Sequence, residues 1–234
     1  MSNLNYLKNL FGIGKKKSNQ PILINILTRT SGRPNGFNKC RKSIENQTYI
    51  QIKHLVSYDD NNDLHYLKKY DCEKIKVKPP LFISKRAFKN PNDYKPYNLY
   101  CNKLLHEVKD GWIMFLDDDD MLHDIESIKD IADIINLCDE NTLIFWQTQY
   151  PDGRVLPNQE IMNNREIVFQ QIDTACFLFH SKFKNAAKWD SRGGADYRFI
   201  RDLAKVIPKQ YWIAEVFTKK NNFGDGGRKN DIPG

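Results

Sequence analysis

The amino-acid sequence predicts an α/β fold in which a mostly parallel central sheet is flanked by helices. Three observations predict it. Short apolar runs alternate with segments of helical periodicity, several of these runs end in polar clusters, and 40% of the 234 residues are hydrophobic, which suffices for a substantial core. In open α/β sheets, ligands bind beyond the carboxyl ends of the strands. The polar clusters therefore mark the expected binding edge.

The first third of the chain predicts three strands and one helix. The apolar run ILINIL over 22–27 predicts the first strand, and the turn-rich TRTSGRPNG after it leads to a helix over 37–47. A second strand is expected over 51–56, shortly before an aspartate pair, and a third is expected over 74–77. Alternation of strand and helix at this spacing is typical of a parallel sheet.

The remaining two thirds continue the alternation. A helix is expected over 97–108, with Gly111 after it as the stop signal. A strand is expected over 112–116, and four aspartates follow it directly. Isoleucines and Cys138 then recur at helical spacing behind Asp124, a candidate N-cap. The last expected elements are strands near 143–150 and 175–180 and a helical segment over 197–203.

One domain is expected to fill most of the chain. We expect it over 21–220, with a basic amphipathic N-terminal appendage over 1–20 and a Gly/Asn-rich flexible tail over 221–234. In the appendage, four apolar residues recur at helical spacing before a lysine triplet. This pattern is typical of membrane-surface helices and of short helices docked on a domain. Peripheral membrane contact through residues 1–17 therefore stays open.

Charge and cysteine usage narrow the partners and the compartment. A net charge of +7 and a pI near 9.0 favour phosphorylated ligands, nucleic acid or acidic membrane surfaces. The sequence has no RNP-type aromatic motif and no zinc-finger spacing, so no nucleic-acid partner is expected. The five cysteines include no CxxC pair, and no run has the length of a membrane span or the pattern of a signal peptide. A cytoplasmic protein is expected, with membrane-surface association left open.

The stretch GWIMFLDDDDML, over 111–122, carries the strongest chemical signal. Four consecutive aspartates repel one another unless a positive charge lies between them. In an extended conformation Asp117 and Asp119 point to one face and Asp118 and Asp120 to the other, so a DxD pair is available. Mg²⁺ or Mn²⁺ prefers such hard oxygen ligands, with substrate phosphate and water completing its shell. The alternative is a solvated acidic turn that caps the next helix.

Four segments, in chain order, resemble those of the GT-A glycosyltransferases, particularly the inverting family 2 type. The segments that resemble their first two strands are ILTRTSGRPNGFNKCRKSIENQTY, with its loop and helix, and HLVSYDD, with its aspartate pair. The segment that resembles their asparagine-bearing helix and DxD strand is KPYNLYCNKLLHEVKDGWIMFLDDDD, and the one that resembles the region of their catalytic base is KWDSRGGADYRFIRDL. The match spans 22–205, and its order is more telling than any single motif. The chain also resembles small glycosyltransferases of large DNA viruses.

This resemblance implies a Rossmann-like GT-A single domain and an enzyme that uses Mn²⁺ or Mg²⁺. It implies a hexosyl- or pentosyltransferase that moves a sugar, with inversion, from a nucleotide-diphosphate donor to a hydroxyl of a glycan or protein, and UDP is the expected nucleotide. Two other functions stay open. One is a metal-dependent nuclease or nucleotidyltransferase, which also needs carboxylates and a basic surface. The other is a non-catalytic module that binds nucleic acid or membrane.

The resemblance also assigns roles to residues by position. Donor binding falls to five residues: Thr28, Asp60, Lys95, Asp117 and Asp118. Asp119 is assigned to the metal. Because four consecutive aspartates can be aligned with the DxD motif in positions one residue apart, Asp117 stays an alternative member of the motif. Lys95 is equally compatible with a solvated lysine at a helix start. Arg29 and Arg33 flank the first loop and receive no role, because a phosphate contact and a solvated loop arginine are both compatible with the sequence.

Asp196 is assigned as the general base. It follows a Gly-Gly turn and precedes the expected helix over 197–203, and a carboxylate there could take the acceptor proton. Capping that helix is the alternative role, and Asp190 and Asp173 are the alternative bases. The C-terminal metal-binding histidine of some relatives has no counterpart after His180. The metal is therefore expected on carboxylate, diphosphate and water alone.

Overall fold

The computed structural model describes residues 21–78, 93–220 and 231. Within these ranges the chain folds around one sheet that is flanked by helices. The N-terminal appendage expected over 1–20 and nearly all of the tail expected over 221–234 lie outside the described residues. In the described part, no helix is both long and apolar enough to cross a membrane.

The first eight elements build the parallel half of the sheet. In chain order they are β1 (Ile24–Arg29), α1 (Pro34–Glu45), β2 (Ile52–Tyr58), α2 (Asp63–Leu67), β3 (Glu73–Lys76), a 3₁₀ turn (Pro96–Leu99), α3 (Tyr100–Glu107) and β4 (Trp112–Phe115). α1 begins at Pro34, where the missing N–H costs no helical hydrogen bond. Gly111, between α3 and β4, has φ +88°, and a Cβ there would lie 2.6 Å from the Leu23 carbonyl oxygen. This tight connection therefore requires glycine.

The next nine elements complete the fold. They are β5 (Asp120–Leu122), α4 (Ser127–Ile135), β6 (Thr142–Gln149), β7 (Val155–Leu156), α5 (Gln159–Asn164), β8 (Phe177–His180), a second 3₁₀ turn (Ser181–Phe183), α6 (Ala195–Val206) and β9 (Lys209–Lys220). α4 turns an apolar face inward, because Ile128, Ile131 and Ile135 recur at helical spacing and are at most 4% exposed. β9 has 12 residues and ends at Lys220. It crosses the sheet as far as the carboxyl edge of its neighbour β6.

The strands follow the order β3-β2-β1-β4-β8-β6-β9-β5 in the sheet, and β7 pairs with β6 off this path. β3, β2, β1 and β4 are parallel neighbours, and β6 and β9 are also parallel to each other. β8 and β5 run antiparallel to their neighbours. Six of the eight strands on the path therefore point the same way. The expected α/β fold with a mostly parallel sheet is confirmed.

The register of the central strands decides which loops meet. Leu27 of β1 lies opposite Phe115 of β4, and Arg29 at the end of β1 lies opposite Ser57 of β2. These three strands thus end at the same level of the sheet. The loops that follow β1, β2 and β4 therefore meet at one edge, although they are distant in sequence.

A cluster of aromatic rings joins α6 to β4 behind that edge. Phe199 of α6 lies edge-on to Phe115 of β4, with ring centroids 5.9 Å apart, and stacks on Trp189 at 4.9 Å. Phe115 and Phe199 are at most 1% exposed, and buried rings of this size contribute strongly to core stability. The start of α6 is thereby fixed against the strand that leads into the aspartate run.

The aspartate run departs from its expected conformation. It is not extended, because the chain turns at Asp118 and Asp119, where the Asp120 N–H donates to the Asp117 carbonyl oxygen at 2.9 Å. β5 begins at Asp120, directly after this turn. The expected alternation of the four side chains between two faces is therefore wrong. Instead, oxygens of the carboxylates of Asp117, Asp119 and Asp120 lie within 4.8 Å of one another.

The helix after the run and two strands also differ from expectation. Asp124 does not occupy the N-cap of α4, which begins at Ser127; its carboxylate accepts the N–H of Glu126 at 2.9 Å. The sequence pattern did not predict β5 and β9. β5 has only three residues, and β9 pairs with β5 and β6, both distant in sequence. Because β5 is so short, local periodicity carries little information about it.

Candidate active site

A cavity of about 590 Å³ opens at the carboxyl edge of the sheet. Most of its described lining comes from the loops after β1, β2 and β4, the turn before α3, the start of α6 and the last residue of β9, and Thr174 and Trp189 add to it. The charged side chains that line it are Arg29, Arg33, Asp59, Lys95, Asp117, Asp118, Asp119, Asp196 and Lys220. Acidic and basic groups from distant parts of the chain thus face one space.

Arg29 holds Asp117 in a fixed orientation. Its Nε donates to Asp117 Oδ1 at 2.8 Å, a second guanidinium N–H donates to Oδ2, and Nη1 donates to Asn98 Oδ1 at 2.8 Å. The guanidinium also lies 5.5 and 5.7 Å from the ring centroids of Tyr97 and Trp189. Because the planar guanidinium matches a carboxylate in two hydrogen bonds, this ion pair sets direction as well as charge.

Arg33 bridges the next two carboxylates of the run. Its Nη1 lies 2.7 Å from Asp118 Oδ1 and its Nη2 lies 3.2 Å from Asp119 Oδ2. Burial raises the pKa of Asp118 to about 7 although Arg33 acts to lower it, and burial also raises the pKa of Asp119. Asp118 Oδ2 is buried and has no hydrogen-bond partner among the described residues. Arg33 therefore does not supply enough hydrogen bonds for all the oxygens of these two carboxylates.

Lys220 lines the cavity and neutralises two carboxylates that are not among its lining residues. Its Nζ lies 2.9 Å from the Asp120 carboxylate and 2.8 Å from Asp173 Oδ1, and its side chain is 8% exposed. The Tyr150 hydroxyl also donates to Asp173, at 2.8 Å. Burial acts to raise the pKa of Asp173, but the Lys220 ammonium opposes it and the pKa falls below its ordinary value. Lys220 and Asp173 therefore form a buried ion pair.

Lys220→Met is expected to destabilise the fold by about 3–5 kcal/mol, because two buried carboxylates lose their counter-charge. Urea unfolding near neutral pH, in the presence of EDTA, measures the loss. Lys205→Met is the matched control, since Lys205 is 64% exposed and pairs with Asp202 at the surface. The control should cost less than about 1 kcal/mol. Equal effects of the two substitutions would contradict the buried network.

The turn in the aspartate run creates a candidate metal site. Asp117, Asp119 and Asp120 offer carboxylate oxygens that all lie within 4.8 Å of one another. Asp117 and Asp119 line the cavity, whereas Asp120 is fully buried and is not among the residues that line it. A substrate phosphate in the cavity could therefore bind the same cation as Asp117 and Asp119.

The charge balance around the run fits a divalent cation. The acidic cluster, Asp117 to Asp120 with Asp173, contains five carboxylates, and its ion-pair partners are Arg29, Arg33 and Lys220. Two negative charges remain in excess when all the groups are ionised. Hard oxygen ligands with this excess suit Mn²⁺ or Mg²⁺. The buried, unpartnered oxygen of Asp118 also fits a cluster that can accept a further cation or hydrogen-bond donor.

Asp196 lies half-buried in the first turn of α6 and lines the same cavity. Gly194, with φ +68°, occupies the N-cap of that helix, and Asp196 Oδ1 accepts the N–H of Tyr197 at 2.8 Å. Burial raises the pKa of Asp196 to about 6, and the negative charge of Asp173 adds to this effect. The group is still ionised near neutral pH but binds a proton more tightly than an ordinary aspartate. These are the properties of a general base.

The structure brings five of the seven residues assigned from the sequence to this cavity. They are Lys95, Asp117, Asp118, Asp119 and Asp196. The alternative bases, Asp190 and Asp173, are not among the lining residues, and each is paired with a cation: Asp190 with Arg198 at 2.6 Å and Asp173 with Lys220 at 2.8 Å. The position of Asp196 in the cavity favours it over both.

Thr28 and Asp60 are not brought to the cavity. Thr28 is fully buried and its hydroxyl donates to a backbone carbonyl oxygen at 2.6 Å, while the Asp60 carboxylate accepts a backbone N–H at 2.9 Å. β1 and β2 each extend two residues beyond the expected strand end. Thr28 therefore lies within β1, and the lining residues here are Thr30 and Asp59, rather than Thr28 and Asp60, together with Arg29, Ser31 and Arg33.

Sequence reasoning missed Lys220 and assigned no role to Arg29 and Arg33. The aromatic and β-branched residues over 209–220 are a signal that could have predicted β9 and placed Lys220 at its carboxyl end. No local signal identifies the partners of the two arginines. Their hydrogen bonds to the aspartate run join positions more than 80 residues apart, so only the tertiary structure pairs them.

Comparisons with known proteins extend these observations. No protein-family model matches the chain, and no curated protein sequence does. Solved structures match its fold. S. aureus TarS 1–349 matches with a TM-score of 0.63 at 14% identity, over 85% of this chain and 60% of TarS 1–349. The same TarS fragment in complex with UDP-GlcNAc matches with a TM-score of 0.61 over 58% of its length.

A second solved protein matches over more of the chain. The mannosyltransferase PcManGT from Pyrobaculum calidifontis, in complex with GDP-Man and Mn²⁺, matches with a TM-score of 0.60 at 10% identity. The match covers 95% of this chain and 64% of PcManGT. This chain thus spans less than two thirds of the length of the solved proteins it matches. At such low identities the likeness establishes the fold.

Proposed function

We propose that this chain, which has the fold of the GT-A glycosyltransferases, transfers a sugar from a nucleotide-diphosphate donor to a hydroxyl acceptor. One observation carries the proposal: Asp117, Asp119 and Asp196 line the same cavity. A diphosphate leaving group needs a counter-charge and an acceptor hydroxyl needs a base, and this cavity offers groups for both. The solved complexes of TarS with UDP-GlcNAc and of PcManGT with GDP-Man support a nucleotide-sugar donor.

The nucleobase is proposed to lie against Asp59. The carboxylate of Asp59 accepts the hydroxyls of Ser31 and Tyr100, each at 2.9 Å, which fixes its orientation at the cavity wall. An ionised carboxylate only accepts hydrogen bonds. Uracil and guanine offer it a ring N–H, where cytosine and adenine present a lone pair. This supports a UDP or GDP donor, and we propose UDP. In this proposal Asp59 takes the donor-binding role that the sequence assigned to Asp60.

The diphosphate is proposed to lie beside the aspartate run. Asp119 and Asp117 would hold Mn²⁺ or Mg²⁺, which when bound offsets the charge that develops on the diphosphate oxygens. Arg33 and Lys95 line the same space and offer N–H donors to phosphate. Arg33 Nη1 lies 2.7 Å from Asp118 Oδ1 and orients that carboxylate. Asp118 is still proposed to lie beside the ribose of the donor.

Asp196 is proposed to take the proton of the acceptor hydroxyl. As the proton passes to the carboxylate, the acceptor oxygen bonds to the anomeric carbon, and the bond from that carbon to the diphosphate oxygen breaks with its electron pair. Attack opposite the leaving group inverts the anomeric configuration. The acceptor is a hydroxyl of a glycan or protein in this proposal. The cytoplasmic location and the membrane contact of residues 1–17 remain predictions from the sequence.

Donor hydrolysis tests the proposed function. We expect the purified chain, with Mn²⁺ and a panel of UDP- and GDP-sugars, to release nucleoside diphosphate from at least one UDP-sugar, because water can replace the acceptor at the base. EDTA should abolish the release, since the acidic cluster then repels the diphosphate. Nucleotide release is measured by chromatography. If no donor releases nucleoside diphosphate while DNA is cleaved under the same conditions, the proposal is overturned in favour of a nuclease.

A further inference from the structure

Two of the five large hydrophobic side chains that are exposed in the described part are aromatic, and each either lines the cavity or packs on a residue that does. Tyr97 is 41% exposed and lines the cavity, whereas Phe169 is 52% exposed and packs on the lining residue Gly194 without being a lining residue itself. The other three are aliphatic and are not among the lining residues: Ile50, Ile125 and Val206. An exposed ring beside a polar cavity is typical of a binding surface.

Phe169 contacts the cavity wall next to the proposed base. A Cβ on Gly194 would lie 2.5 Å from Phe169 Cε2, so the ring occupies the space that any other residue at 194 would fill. Gly194 also has φ +68°, which disfavours other residues there. Gly194, Ala195 and Asp196 all line the cavity. The Phe169 ring therefore packs on a lining residue two positions before Asp196, just outside the set of lining residues, and we call this position the rim of the cavity.

Tyr197 holds the Phe169 ring in place. The two rings meet edge to face, with centroids 5.6 Å apart and an interplanar angle of 71°. The guanidinium of Arg201, one helical turn along α6, lies 5.9 Å from the Tyr197 ring centroid. Phe169 is thus supported from one side by helix residues and exposes the rest of its surface. A supported ring loses little conformational freedom when it binds a ligand.

We propose that Phe169 and Tyr197 form an acceptor subsite that binds the apolar face of a sugar ring. This inference rests on the proposed function and deepens it, because it makes the acceptor a glycan. A pyranose presents several C–H groups on one face, which bury apolar surface against an aromatic ring. Its hydroxyls at the ring edge can then reach Asp196. The donor phosphates are placed elsewhere in the cavity, at the aspartate run, so the two substrates do not compete for this rim.

Transfer to simple glycosides tests the subsite. The probes are methyl glycosides of glucose, galactose, mannose and N-acetylglucosamine, used with a donor that the wild type hydrolyses. Phe169→Ala is expected to lower the ratio of glycoside transfer to donor hydrolysis by about tenfold, chiefly through a higher KM for the glycoside. Phe169→Trp, which keeps a ring, should restore the ratio. Saturation-transfer NMR should show the glycoside C–H protons in contact with the wild type and not with Phe169→Ala.

Ile125→Ala is the matched control, because Ile125 is similarly exposed, at 56%, but precedes α4, whereas Phe169 packs on Gly194 beside Asp196. It should leave the ratio and the NMR contacts unchanged. An unchanged ratio in Phe169→Ala would overturn the subsite, and so would a wild type that transfers to a serine peptide and to no glycoside. Donor hydrolysis by the wild type separates this failure from failure of the proposed function, since hydrolysis needs no acceptor subsite.

Discussion

Asp196→Asn is expected to lose about 10²–10⁴-fold in the rate of sugar transfer while keeping its fold and its affinity for UDP. The amide cannot take the acceptor proton. It retains an oxygen that can accept the Tyr197 N–H, which Asp196 Oδ1 accepts at 2.8 Å. Transfer is measured by product formation, UDP affinity by calorimetry and folding by the melting temperature.

The stability of Asp196→Asn separates the loss of a base from a loss of fold. Burial raises the pKa of Asp196 from 3.8 to about 6 in the folded chain, so the folded state binds the proton more tightly than the unfolded state. The resulting stabilisation is complete below pH about 4 and is lost as the pH rises to about 6. Above pH 6 the ionised carboxylate of Asp196 is disfavoured by burial, and the neutral amide of Asn avoids this free-energy cost. Asp196→Asn should therefore melt at the same or a higher temperature than the wild type near neutral pH.

The pH dependence of transfer gives a second measure of the same group. Because the ionised carboxylate is the active form, kcat/KM should fall as the pH drops through about 6. This ascending limb should be absent from the residual activity of Asp196→Asn. Asp190→Asn is the matched control, since Asp190 pairs with Arg198 and is not among the lining residues. Near-normal transfer by Asp196→Asn would move the base to another residue.

Asp119→Ala is expected to weaken UDP binding in Mn²⁺ by at least about 100-fold and to abolish turnover. The substitution removes one of the two cation ligands that face the cavity, and Arg29 already engages the other, Asp117. The diphosphate would then meet Asp117 and Asp118 with a weaker counter-charge. Calorimetry of UDP with Mn²⁺ and with EDTA measures the effect.

The wild type in EDTA should bind UDP as weakly as Asp119→Ala does in Mn²⁺. Asp133→Ala is the matched control, because Asp133 pairs with Lys129 on the surface of α4 and should leave the affinity unchanged. Unchanged UDP affinity in Asp119→Ala would favour the acidic turn, the alternative considered for the run. Metal-independent binding by the wild type would instead indicate that Arg33 and Lys220 neutralise the diphosphate.

The sequence by itself determined the fold class and the place of the site. Apolar runs of strand length alternate with helical periodicity, and this local pattern carries the order of elements because each run must bury its apolar face. The order of the four resembling segments predicted the GT-A fold, which the solved structures confirm. Asp117, Asp118 and Asp119 were expected at a carboxyl edge because they directly follow an apolar strand, and they line the cavity there.

The tertiary structure alone decided which neighbour of each expected residue reaches the cavity. β1 extends two residues beyond its expected end, so Thr30 lines the cavity in place of Thr28, and Asp59, the first residue after β2, lines it in place of Asp60. Strand ends depend on pairing with neighbouring strands, and periodicity does not report such pairing. The roles of all these residues in donor binding remain predictions.

Only the tertiary structure also decided the charge environment and the rim of the site. Lys220 meets Asp120 and Asp173 because β9 pairs with β5 and β6, and Phe169 meets α6 through the space that Gly194 leaves open. These contacts join segments that are distant in sequence, and their energies depend on burial, which no local pattern records. Net charge and residue type are properties of the sequence, but the strength of an ion pair or a pKa shift is a property of the folded environment.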